Sequence, residues 1–307
     1  MNWILLIEQI LNGVQLGLLL FLLAAGLTLV FGIMDLVNLA HGSLYMIGAF
    51  IAASLTQLTG SFVLAAILTL PAAMLVGMIV EMICLRTLYD RDHLDQVLAT
   101  FGLILFADDF VQLAWGPAGM NIPLPDFLRT SFEILPGVIY PSYRLAIILV
   151  GLSVAAGLYF LVAKTRIGML IRAGASNREM IGALGVNIRL LFTLIFGLGA
   201  AMAGLAGLMA GPILTVQIGM GNEILILAFV VIVIGGIGSI RGAFVAALIV
   251  GLIDTVGRAF LPEFLSLFMS QIAADTAAPS ISSMMSYLLM AVILAFRPEG
   301  LFPPRSG

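Results

Sequence analysis

The feature that most constrains this chain is the recurrence of apolar runs about 20 residues long, each enough to cross the ~30 Å hydrocarbon core of a bilayer as a helix. In lipid the backbone must satisfy its own hydrogen bonds, so only helices and closed barrels can span. A barrel would show alternating segments of about ten residues, and the sequence has none. Charged residues make up 9% of the chain and hydrophobic ones 62%, against about 25% charged in an average soluble domain. The sequence therefore reads as an all-α, polytopic integral membrane protein. All 307 residues are assigned to one transmembrane domain of about eight or nine helices, two of its segments broken or re-entrant.

The spans are placed at Gln9–Phe31, Leu44–Leu55, Phe62–Leu85, Asp95–Trp115, Ser142–Ala163 and Leu190–Ala210. Ile224–Ile234 is short and resumes from Ala243 to Thr255, and Met284–Phe296 is the last span. Pro71 is expected to kink its helix, and Asp95 to cap the start of its own. Gly116–Pro141 carries Pro117, Pro123, Pro125, Pro136 and Pro141 and reads as an irregular loop. Leu261–Ser283, with Pro262 and Pro279, reads as a second one. The opening MNWILLIEQILNG has no basic region and carries Glu8, so the first span is expected to be retained rather than cleaved as a signal peptide.

Basic residues set orientation. Alternating the spans places Arg86, Arg91, Lys164, Arg166, Arg172, Arg178, Arg189, Arg241, Arg297 and Arg305 on the cytoplasmic side, and leaves Arg129, Arg144 and Arg258 outside. The expectation is an N-terminus outside, a C-terminus in the cytoplasm and an odd number of crossings.

No stretch without a hydrophobic span is longer than Lys164–Arg189, and it holds the only lysine. That lysine follows Ala163 and cannot complete a G-x-x-x-x-G-K-[ST] phosphate loop. Any ATP that drives this chain must be bound and hydrolysed by another subunit; the chain itself is expected to be neither an enzyme nor a holder of a cofactor. Within the stretch, Ser176 or Asn177 can cap a short helix, Glu179 stands where a capping box wants it, and Gly182 and Gly185 follow as stops. Such a helix, with Arg172 and Arg178, suits docking onto a partner protein.

Two polar, glycine-containing interruptions are each followed by a small-residue helix. One is Gly32–Ser43, the other Gly235–Gly242. Paired breaks in two halves point to a pathway built from discontinuous helices, although ordinary loops would read the same way. Asn38, His41, Gly42, Ser43 and Tyr45 at the first break, and Gly235, Gly236, Gly238 and Ser239 at the second, are the candidates for lining or gating it. Asn38 and His41 have a plainer reading too, as partners for the broken backbone. Polar groups at membrane depth need partners. The small residues from Gly197 to Gly211 read as helix packing, and Asp254 with Arg258 as an i,i+4 pair. Asp108 and Asp109 must lie near the outer end of their span or face water. No metal site is expected from His41, His93 and the single Cys84.

The runs GLTLVFGIMDLVNLAHGSLYMIGAF (Gly26–Phe50), RAGASNREMIGALGVNIRLLF (Arg172–Phe192) and GGIGSIRGAFVAALIVG (Gly235–Gly251) carry a resemblance over nearly the whole chain. It resembles the LivH-type permease subunits of branched-chain amino acid ABC importers, in a superfamily that includes ribose-type sugar permeases. Asp35-Leu36 departs from the small or neutral pair of many amino acid permeases and is similar to a run in the sugar permeases. The resemblance implies a homologous LivM-type second permease subunit, or a second copy, with two cytoplasmic ABC ATPases and a periplasmic substrate-binding protein in the inner membrane. It also implies that Ser176–Gly185 is the coupling helix, and that branched-chain amino acids or a related small solute move inward. The competing class is an ion-coupled carrier or channel working alone, which would draw on Asp35, Glu81, Asp108, Asp109 and Glu223.

Overall fold

The computed structural model describes residues 3–176 and 178–302. Its helices are α1 (Trp3–Met34), α2 (His41–Thr59), α3 (Phe62–Val80), α4 (His93–Trp115), α5 (Ser142–Lys164), α6 (Arg166–Ser176), α7 (Arg178–Ala183), α8 (Ile188–Ala210), α9 (Met220–Gly235), α10 (Ile240–Leu265) and α11 (Gln271–Phe296). Eight of them are long and apolar enough to cross a membrane, and α9 is a shorter apolar helix. The protein is a multi-pass membrane protein of all-α class.

α1 is the axis. It runs antiparallel to α10, with Gly13 against Leu252 and Thr255 and Gly17 against Ala247 and Leu248. On its other sides Gly26 meets Gly199 of α8, and Leu18 meets Gly151 of α5. α8 is clasped between α2 and α3: Gly204 faces Gly48 and Ala73, Gly207 faces Tyr45, and Gly197 faces Met74 and Met78. Small residues admit this close approach because a side chain would separate the helices. Polar side chains start several helices: Ser61 accepts from the Leu64 amide, Asn187 from Leu190 and Ser239 from Gly242.

Three expectations are corrected. Leu261–Ser283 is not an outer loop: α10 continues through Pro262 to Leu265, and α11 takes in Pro279. Its polar side chains stay helical because they bond back onto the preceding turn, Thr276 Oγ1 to Ile272 O at 2.8 Å and Ser283 Oγ to Pro279 O at 3.0 Å. Spanning helices also tolerate proline where neighbours cover the freed carbonyl. Next, Gly116–Pro141 contains a two-stranded hairpin, β1 (Ser131–Leu135) with β2 (Val138–Pro141), turning at Gly137 with φ 85°. Finally, α4 starts at His93 behind Asp92, so Asp95 lies in its first turn and does not cap it.

The hairpin marks one end of the bundle, shared by the start of α5 and the end of α4. The other end, where α5 finishes and α6 and α7 lie, is called the loop end below.

Candidate functional site

Two regions carry the candidate residues. The first is the junction between α1 and α2. Asp35, at φ 52°, ends α1 by donating its amide to Phe31 O at 3.0 Å, a left-handed conformation that Asp tolerates better than most residues. Residues 36–39 then run back beside the bundle without helical bonds, and α2 opens at His41 beside Gly26. Gly26 lies about 12 Å of helix before Met34. α2 therefore starts part-way through the bundle and not at its loop end. Gly42 packs backbone to backbone on Gly221 near the start of α9, so two helix N-termini meet at this depth. Tyr45 is buried, with its carbonyl against Gly207.

Asn38 and His41 are fully buried and Ser43 nearly so, yet among the described residues neither Asn38 amide atom nor the Ser43 hydroxyl has a hydrogen-bond partner. Buried polar groups left unpaired cost about 1–3 kcal/mol each, and folded proteins keep few of them. Beside them a cavity of about 130 Å³ is lined by Asn38, Ser43, Ile47, Val76, Leu103 and Phe106, among others, and its wall is almost wholly apolar. An engineered apolar cavity of about 150 Å³ admits benzene, so this one has room for a small aliphatic group.

At the second break α9 ends at Gly236, φ 102°, and Gly238, φ 84°, turns the chain into α10, which Ser239 caps. Gly235 packs on Gly242 and Gly238 on Gly32. The chain returns here after α11: the Leu301 and Phe302 amides donate to the Ile234 and Gly235 carbonyls at 2.8 and 3.0 Å. The two candidate sets are not brought together. The 16 residues of α9, about 24 Å of helix, separate them, with Asn38, His41, Gly42 and Ser43 at its start and Gly235, Gly236, Gly238 and Ser239 at its end.

The second region is the loop end. One short helix was expected from Ser176 to Gly185; α7 lies within that range, and α6 precedes it. RIGMLIRAGAS is amphipathic and makes α6, which buries Gly168, Ile171 and Gly174 and carries Arg172 outward, bonded to the Val162 carbonyl. Ser176 is the last described residue of α6. Asn177 lies outside the described residues. α7, whose backbone includes Arg178 and Glu179, stops at Gly185 with φ 86°: the Gly185 amide bonds Gly182 O and the Val186 amide bonds Ile181 O. This 6→1 and 5→2 pairing is a Schellman stop. Ile181 is buried against Gly174, Gly182 lies on Ile188, and Leu184 is 77% exposed.

Sequence reasoning missed how Glu81 is used. A π turn (Glu81–Leu85) and a 3-10 turn (Arg86–Leu88) extend α3, and such π turns recur at functional sites. Fully buried Glu81 accepts from Arg86 Nε and Nη2 at 3.2 and 3.1 Å, from Thr193 Oγ1 at 2.7 Å and from the Tyr89 hydroxyl at 2.5 Å. A Glu at the end of an apolar span with an Arg five residues on was the signal available. Asp108, by contrast, is half-buried against Asn222, Asp109 is exposed, and Asp254 pairs with Arg258 at 2.9 Å. Among the described residues no three His, Cys, Asp or Glu side chains group as a metal site would require.

Comparison with known proteins gives one consistent result. The family model described as branched-chain amino acid transport system / permease component matches residues 9–294. The chain is 30% identical to the high-affinity branched-chain amino acid transport system permease protein BraD of Pseudomonas aeruginosa, covering 96% of this chain and 95% of that one. It is 27% identical to the corresponding LivH permease protein of Escherichia coli K12, over 96% and 94% of the two chains. It is 26% identical to a probable branched-chain amino acid transport permease protein LivH of Methanocaldococcus jannaschii, over 92% and 88%. No solved structure matches it.

Proposed function

The chain belongs to the family of branched-chain amino acid transport permease components, and from that membership we propose that it moves branched-chain amino acids, or a closely related small amphipathic solute, inward. Energy comes from ATP hydrolysed by two cytoplasmic ATPase subunits. A second permease subunit, homologous or a copy of this chain, completes the membrane part. A substrate-binding protein delivers solute at the hairpin end, which is the outer face in this reading; the N-terminus then lies outside and the C-terminus in the cytoplasm.

The observation that carries this reading is α7, a short helix with Leu184 exposed, standing at the loop end of an apolar bundle whose sequence has no phosphate loop of its own. It is built to be pushed. Movement of α7 by the ATPases would re-set the pathway between outward and inward access as a rigid-body change. Of the five groups a carrier working alone would draw on, Glu81 is tied to Arg86. Tagged protein should therefore bring ATPase subunits with it and transport only with ATP. Uptake by the isolated chain in liposomes without nucleotide would end the importer reading. Gly185→Pro tests the helix itself: proline cannot adopt φ 86° or supply the amide that bonds Gly182 O. The complex should stay in the membrane while uptake falls about tenfold or more.

In this reading the unpaired groups at the first break line or gate the path, and the apolar cavity takes an aliphatic side chain. Replacing Asn38 and His41 together by Leu removes buried polar atoms, those of Asn38 without partners among the described residues. The expected result is a higher melting temperature in detergent together with loss of uptake, since each relieved group returns about 1–3 kcal/mol. Normal uptake in the double variant would take both residues off the pathway.

A further inference from the structure

Between the loop end and the first break runs a series of side-chain bonds joined by short stretches of backbone, and its central member is Gln96. α7 leads through Gly185 and Asn187 straight into α8, where Gly182 already touches Ile188. Thr193, in the second turn of α8, donates to Glu81 Oε2 at 2.7 Å and accepts from Arg86 Nη2 at 2.8 Å. Its neighbour Phe192 takes the Tyr89 ring edge-on, centroids 5.3 Å apart at 89°. The first two turns of α8 thus grip the turns that end α3 from two sides.

Those turns are held in their turn by Gln96. Its Nε2 donates to the Leu88 and Arg91 carbonyls, both at 3.2 Å, while its Oε1 accepts the Val37 amide at 3.0 Å. His93 Nδ1 lies 3.3 Å from the same oxygen. The side chain is 2% exposed, and both Nε2 hydrogens are used. Val37 belongs to the extended segment that carries Asn38 and leads into His41. Residues 36–39 make no helical bonds and the buried Asn38 amide has no partner among the described residues, so beyond the packing of Leu36 and Ala40 this link is what tethers the segment.

We infer that Gln96 is the positioning residue that transmits displacement of the α7–α8 unit, through Thr193, Glu81, Arg86 and Tyr89, to the extended segment 36–39. The inference rests on α7 being the part the ATPases move. It adds a route and names a residue that touches neither nucleotide nor solute. An amide suits the task, because it donates to one element and accepts from another in a single rigid group.

The test uses the whole transporter, reconstituted with its partner subunits, and reads segment and motor separately. Cys84 is exposed and is first changed to Ser; Leu39→Cys then reports on the segment by its rate of labelling with a maleimide, with and without a non-hydrolysable ATP analogue. In the Gln96-containing protein the analogue should change the labelling rate severalfold. With Gln96→Met added, the nucleotide dependence should vanish and uptake should fall at least tenfold, while ATP hydrolysis continues. Gln96→Glu keeps the acceptor for Val37 but loses both donations; it should give the same result, and it serves if the Met variant does not assemble. Nucleotide-dependent labelling that survives in either variant overturns the relay and leaves the importer reading standing. Labelling that ignores nucleotide even with Gln96 present overturns the relay as well, and normal sensitivity to Gly185→Pro would show that α7 still couples.

Discussion

Gly48→Leu is expected to leave almost no assembled protein in the membrane. At Gly48 the backbone of α2 lies directly on the Cα of Gly204 in α8, and a carbon built on the other side of Gly204 would stand only 2.6 Å from the Ala73 Cβ of α3. Three helices meet at one point with backbone as the only material that could yield. Extra methylenes in a packed core cost about 1–3 kcal/mol where side chains can move aside; here α2 would have to leave α8. Membrane yield and the monodisperse fraction in detergent should both drop about tenfold or more. Gly157→Leu is the matched control, since nothing lies within 4 Å of a side chain there, and it should be produced normally. Equal yields would mean that the crossing of α2, α8 and α3 is not close-packed.

Arg86→Met should have the second large effect. Glu81 is fully buried, and Arg86 supplies its only counter-charge among the described residues, through two bonds. Removing one member of a buried pair costs about 3–5 kcal/mol because the other is stranded. A third of the Arg86 side chain reaches the surface, so some charge is already screened and the loss falls below that range. Thermal unfolding in detergent should fall by several degrees, and Glu81→Gln added to Arg86→Met should recover most of it. If the double variant is no better than the single one, the Glu81 charge is not what Arg86 offsets.

Some of this was legible in the chain and some was not, for identifiable reasons. Apolar length gave the spans, because burying backbone in lipid leaves few other solutions. Gly185 was readable as a stop because only a left-handed residue ends a helix that way, and the glycines of α8 were readable as contacts. The extent of α11 was not: Asp275, Pro279 and the nearby serines look like a loop when water is the reference. The side chains bond their own helix instead. α6 was hidden by its arginines, which mark a side of the membrane and equally mark one face of a surface helix. Gln96 carried no local signal. Its partners, Leu88 and Arg91 on one side and Val37 on the other, come together only through the fold.

The glycine contacts have a mechanical side. Gly26 on Gly199, Gly42 on Gly221, Gly32 on Gly238 and Gly48 on Gly204 are places where main chain meets main chain with no teeth engaged. Helices meshed by large side chains must unmesh before they slide, whereas smooth surfaces can shear by small steps and keep the same contact. The positions least able to accept a side chain are for that reason the smoothest contacts that α1, α2 and α8 offer to the two breaks.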